Sequence, residues 1–194
     1  MSLSAFPHKN YYFNTGLEAL QELKRFRTTD LNAFHVVNLT QWSLKEVISS
    51  LWMENPGSRK LIIISNTQLL PLAKYYKIKN NNVLSICEES ESLKVLGDFC
   101  SGRDIGKRDF DYKKPHLTEN EFISLRCALN GVSAREQAKK LGVSTKTAFA
   151  FRYTLAKKLQ VKKLSHLLAP VIRNFQNYDL RYSVLYKRKI YSSV

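Results

Sequence analysis

Ser133 to Leu159 reads SAREQAKKLGVSTKTAFAFRYTLAKKL, two short helices joined by a tight turn. Ala138 is small where two helices approach closely, Gly142 allows a left-handed backbone position, and Val143 follows it directly. Counted from Ala134, the apolar residues Leu141, Val143, Ala148 and Phe151 fall on the inner face of such an element; Gln137 alone is polar where an apolar residue belongs. Ser133 with Glu136 makes a capping box, and Ser144 can cap the amides at Lys146 and Thr147, which starts the second helix near Thr145.

With Ala148, Phe151, Leu155 and Leu159 turned inward, the helical period assigns the opposite face to Lys146, Phe149, Ala150, Arg152, Tyr153 and Lys157. Cations interleaved with two aromatics lie on an element about as wide as a DNA major groove. A solvated amphipathic helix would carry similar charges. The turn glycine and the two capped starts favour a helix-turn-helix that binds DNA.

The charge is unevenly placed. Of the formal net charge of +15, residues 107–194 hold +13, from 19 Lys and Arg against 6 Asp and Glu. A polyanion releases counterions to such a surface, although lipid or solubility can also account for positive charge. A chain of 194 residues with 44% hydrophobic content is long enough for one large or two small packed domains. Apolar runs such as Leu61 to Ile64 are far short of a bilayer span, and MSLSAFPHKN lacks the apolar centre of a signal peptide. A cytoplasmic, nucleoid-associated protein is expected. Cys87, Cys100 and Cys127 show no metal-ligand spacing, so reduced thiols, no metal and no cofactor are expected.

Upstream, strand and helix patterns alternate. Asn10–Phe13 reads as a short strand, with a helix from Thr15 through Leu17, Leu20, Leu23 and Phe26. Phe34–Leu39 is a β-branched run, followed from Ser43 by a helix to about Met53 that buries Leu44, Val47, Ile48, Leu51 and Trp52. Lys60–Ser65 is apolar without alternation, as in a strand covered on both faces. A helix over Gln68–Tyr76, a strand over Val83–Cys87 and a helix over Ser90–Cys100, with Leu93, Val95, Leu96 and Phe99 inward, complete four strand-helix units. Right-handed crossovers and a parallel sheet between helix layers follow. The ends where ligands gather hold Asn14 and Thr15, Asn38 to Thr40, Ser65 to Thr67 and Glu88 to Ser90, with neither a phosphate-binding loop nor a nucleophile and base among them. No enzyme is expected. The domains are therefore an α/β unit at 1–102, a linker at 103–116, an all-α four-helix unit with the helix-turn-helix at 117–175, opened by a capping box at Thr118 and Glu121, and a basic aromatic tail at 176–194.

Leu117-Thr118 with Glu121, Gly131-Val132-Ser133, Ala138, Leu141-Gly142-Val143-Ser144, Thr147, Lys158-Leu159 and Leu167 resemble the DNA-binding domain of the LuxR/FixJ (NarL-type) regulators. The resemblance implies a dimerising four-helix domain that lays the helix from Thr145 in the major groove. Phe149, Ala150 and Tyr153 would then face bases, and Lys146, Thr147, Arg152, Lys157 and Lys158 phosphates. The family usually has Ile at 137, Val at 148 and His at 151, where this chain has Gln137, Ala148 and Phe151. Pro170 falls in the usual dimer helix.

The first hundred residues are similar to a degenerate phosphoreceiver, in the layout of small enterobacterial regulators of the RcsA type. A working receiver needs an acidic pair, a phosphoacceptor Asp and a Lys. Here Asn38 stands at the acceptor position, the acidic pair is missing along with a first strand-helix unit, and Glu88-Glu89 follow the last strand. An amide cannot form an acyl phosphate. The implied function is a phosphorylation-independent transcription regulator on promoter DNA, as a homodimer or as a heterodimer with a related regulator, with RNA polymerase as a further partner. Its alternatives are an auxiliary co-regulator and a small-molecule sensor.

Overall fold

The computed structural model describes residues 4–8, 10–24, 34–50, 53, 57, 59–101, 103 and 115–167. Four parallel strands, β1 (Ser4–Phe6), β2 (Phe34–Leu39), β3 (Lys60–Ser65) and β4 (Val83–Glu88), lie in the order β1-β2-β3-β4. The helices between and after them are α1 (Tyr11–Lys24), α2 (Leu44–Ser49), α3 (Leu70–Lys79) and α4 (Ser92–Cys100). Alternate residues of the sheet serve two cores. Val36, Ile62, Ile64 and Cys87 face Leu17 of α1 and Val95, Leu96 and Cys100 of α4. Val37, Leu39, Leu61 and Ile63 face Leu44, Val47 and Ile48 of α2 and Leu72, Ala73 and Tyr76 of α3. Two buried faces explain why KLIIIS shows no alternation.

This distribution corrects one expectation. The strand order steps the same way from β1 to β2 and from β2 to β3, yet α1 and α2 lie on opposite faces. The two crossovers therefore have opposite hands, and one is left-handed against the usual rule. Removing the second strand-helix unit from a doubly wound 2-1-3-4-5 sheet leaves this order and this placement of helices. The order fits such a sheet without its second unit rather than without its first, and Pro7-His8 follow β1.

Local boundaries also move. Asn10–Phe13 is not a strand: Asn10 Oδ1 accepts from the Phe13 amide at 3.1 Å, capping the start of α1, and the first strand is Ser4–Phe6. The second helix ends at Ser49 rather than near Met53. Leu93, expected inside, is 75% exposed, because the helix starts at Ser92 and buries Val95, Leu96 and Cys100 instead. Phe26, Leu51, Trp52 and Pro170 lie outside the described residues.

The C-terminal part is all-α: α5 (Glu119–Leu129), α6 (Ala134–Leu141) and α7 (Thr145–Lys158), then a 3-10 turn at Leu164–Leu167, beyond which the residues lie outside those described. It packs directly on the α/β domain. Phe122 of α5 stacks on Tyr75 of α3 with ring centroids 4.4 Å apart and meets Tyr76 edge-on. The Leu117 amide donates to the Pro71 carbonyl at 3.2 Å, and Glu119 takes Lys79 at 2.5 Å and the Tyr75 hydroxyl. The core under α2 and α3 is continuous with that of the helical part, through Leu125, Leu155, Leu159 and Leu167.

Candidate nucleic-acid interface

The turn between α6 and α7 forms as its residues dictate. Gly142 has φ 65°, in the left-handed region, and its amide closes the last turn of α6. Ser133 and Glu136 exchange both bonds of a capping box, at 3.2 and 2.8 Å, while Ser144 Oγ accepts from the Thr147 amide at 3.1 Å. These devices seat α7 against α5 and α6, with Ala138, Ala148, Leu155 and Leu159 buried. Leu141, Val143 and Phe151, expected fully inside, are half-buried.

The outer face of α7 presents Phe149, 60% exposed, and Tyr153, 73% exposed, with Lys146, Ala150 and Lys157 exposed beside them. Thr147 is half-buried, its hydroxyl 2.8 Å from that of Ser144. Two cations expected on this face turn inward. Arg152 Nε donates to Gln137 Oε1 at 2.7 Å and a terminal guanidinium nitrogen donates to the Val132 carbonyl at 2.5 Å. Lys158 Nζ lies 2.7 Å from Glu121 Oε2 and donates to the His116 carbonyl at 2.8 Å. Burial pushes the Glu121 carboxyl up, but Lys158 and the Thr118 amide outweigh it and hold the group below its ordinary range.

Gln137, the residue out of pattern, is fully buried and bonded at both ends of its amide: to Arg152, and through Nε2 to Ser124 Oγ at 2.6 Å. The sequence marked Gln137 alone as out of pattern; that Ser124 of α5 is a second buried polar residue facing it is seen only in the structure.

The strand ends hold little chemistry. Asn38 is 7% exposed at the end of β2, and Ser43 Oγ donates to its carbonyl at 2.5 Å. Ser65 Oγ donates to the Asn66 carbonyl and Thr67 Oγ1 to Glu88 Oε2, so these hydroxyls are spent locally. Among the described residues no three His, Cys, Asp or Glu side chains converge as metal ligands, and no helix is long and apolar enough to cross a membrane.

Residues 1–100 match the family described as EcpR N-terminal domain. The Vi polysaccharide biosynthesis protein TviA of Salmonella typhi is 24% identical over 169 residues, covering 85% of this chain and 93% of that protein. Among solved structures, RcsB from Salmonella enterica serovar Typhimurium, bound to promoter rprA, aligns over 87% of this chain and 98% of its own at 17% identity and a TM-score of 0.44. Full-length FixJ from B. japonicum aligns over 73% of this chain and 74% of its own at 16% identity and a TM-score of 0.28.

Proposed function

The chain belongs to the EcpR N-terminal domain family, and from the helix-turn-helix that follows that domain we propose that it is a transcription regulator that binds double-stranded DNA through α7, without phosphorylation. One observation carries the reading: Phe149 and Tyr153 project together, exposed, from a helix whose seat is fixed by Gly142 and Ser144, with the Lys146 and Lys157 ammonium groups beside them. Exposed rings on a rigid helix suit thymine methyls and base edges, and the lysines suit phosphates. Phe149, Ala150 and Tyr153 are the base-facing residues, and Lys146, Thr147 and Lys157 the phosphate-facing ones. Phosphorylation independence rests on Asn38 and on Pro7-His8, which follow β1 without an acidic pair.

A shift assay on the purified chain with duplex DNA over a range of salt tests this. Lys146→Ala should weaken binding to every duplex and reduce the salt slope by about one unit. Absence of binding by the wild type, alone and with a related regulator added, would remove the reading. A second reading, an auxiliary subunit of a heterodimer, is favoured by the poverty of hydrogen-bond donors on the base-facing side, where Phe149 and Ala150 offer none. It predicts a shift only when the related regulator is present.

A further inference from the structure

The buried polar chain through α5, α6 and α7 has a direction. Gln137 places its amide nitrogen against Ser124 Oγ and its oxygen against Arg152 Nε, and Ser124 Oγ donates on to the Asn120 carbonyl at 2.7 Å. An amide has one donor end and one acceptor end, so the oxygen must face the cation. The guanidinium fork then reaches two acceptors on different elements, Gln137 on α6 and Val132 in the turn before it. A lysine presents a point charge and cannot make that span in one plane. Removing Arg152 strands the buried Gln137 Oε1, and removing Gln137 frees a half-buried guanidinium, so the intact arrangement resists rotation of α7 about its own axis.

We propose that Arg152 is a positioning residue rather than a phosphate contact: bridged to Gln137 and Val132, it fixes the roll of α7 and so decides which base edges Phe149 and Tyr153 meet. This rests on α7 being the DNA-reading helix. Arg152 immediately precedes Tyr153 and lies one helical turn after Phe149, so any roll that breaks the bridge displaces both rings. Phe149 reads a groove by fit and has no directional bond to correct a misplaced helix, and of the two rings only Tyr153 carries a hydroxyl. The orientation of the helix has to be supplied from inside the domain.

The test uses the full chain, a site selected from a random duplex pool and a non-specific duplex, with melting temperature recorded for each variant. Arg152→Met should leave the non-specific salt slope unchanged and lower the ratio of specific to non-specific affinity about tenfold, the scale of one good base contact. Gln137→Met should lower the ratio as much and steepen the slope by up to about one unit, as the released guanidinium reaches phosphate. Gln137→Glu keeps an acceptor for Arg152 and should retain the ratio. If Arg152→Met or Gln137→Met does not fold, Arg152→Lys, which keeps the charge and loses the fork, should lower the ratio at unchanged slope. A slope flattened by about one unit in Arg152→Met with its ratio intact, or a wild-type ratio in folded Gln137→Met or Arg152→Lys, overturns the proposal. Lys146→Ala separates the two levels: if it behaves as expected and the Arg152 variants do not, the positioning role alone fails, whereas a wild type that binds no duplex, alone or with a related regulator added, removes both.

Discussion

At the residue scale, two of the cations on α7 are structural, and the distinction is measurable. Lys158 is bound to Glu121, whose side chain is 5% exposed against 27% for the lysine, so the pair sits in a poorly solvated cleft at the start of α5. Lys158→Met strands the buried carboxylate, which in well-buried pairs costs on the order of 3–5 kcal/mol. The partial exposure of the lysine places this one at about 2–3 kcal/mol, read as a lower urea midpoint, while the DNA salt slope stays as in the wild type. Because the folded carboxyl is held below its unfolded value of about 4.3, the stabilisation is complete above that pH and is lost as pH falls through the folded value. The stability gap between wild type and Glu121→Gln should therefore close as the pH falls below about 4.3. Phe149 and Tyr153 behave oppositely. Their exposure means that Phe149→Ala and Tyr153→Ala should leave melting unchanged and cost specific affinity about 1–3 kcal/mol each. A lowered melting temperature with unchanged specificity would show that the rings pack rather than read.

At the scale of the element, the α6–α7 turn depends on one backbone angle. Nothing lies within 4 Å of where a Cβ on Gly142 would stand, so Gly142→Ala meets no steric neighbour and carries only the left-handed penalty at φ +65°. That is about 1–2 kcal/mol, and Gly142→Asn should cost less, since asparagine tolerates this region. Equal losses for the two variants in thermal unfolding would place the cost elsewhere than in φ. The same element shows why patterns of three and four residues were readable: caps and the turn glycine act within one or two turns of chain. The strand at Ser4–Phe6 was missed for the converse reason, since it is three residues long and made a strand by pairing with His35, Val36 and Val37 far along the chain.

At the scale of the molecule, the helical part is not a separate bead. Phe122 is 2% exposed between Tyr75 and Tyr76, and the core runs on from the α/β domain into Leu125, Leu155 and Leu159. Full-length protein should melt in one cooperative transition, and Phe122→Ala should lower its stability by about 3–5 kcal/mol. Two resolved calorimetric transitions would contradict a shared core. This docking uses α5 and leaves Phe149 and Tyr153 of α7 exposed. Incubation with acetyl phosphate and Mg²⁺ should add no phosphate to the α/β domain. A stoichiometric adduct there, seen by mass, would sink that expectation.

Sequence by itself determined the parallel α/β unit, three of its four strands to within a residue, and the capped helix-turn-helix with Phe149 and Tyr153 on its outer face. All of these follow from periodicity and short-range hydrogen bonding, which the chain carries locally. Tertiary structure decided the rest. Which crossover reverses hand, that Tyr75 receives Phe122, and that Arg152 and Lys158 turn to Gln137 and Glu121 rather than outward depend on neighbours brought from distant positions. A long cation can turn either way from a helix, and the choice falls to whichever buried acceptor needs a donor.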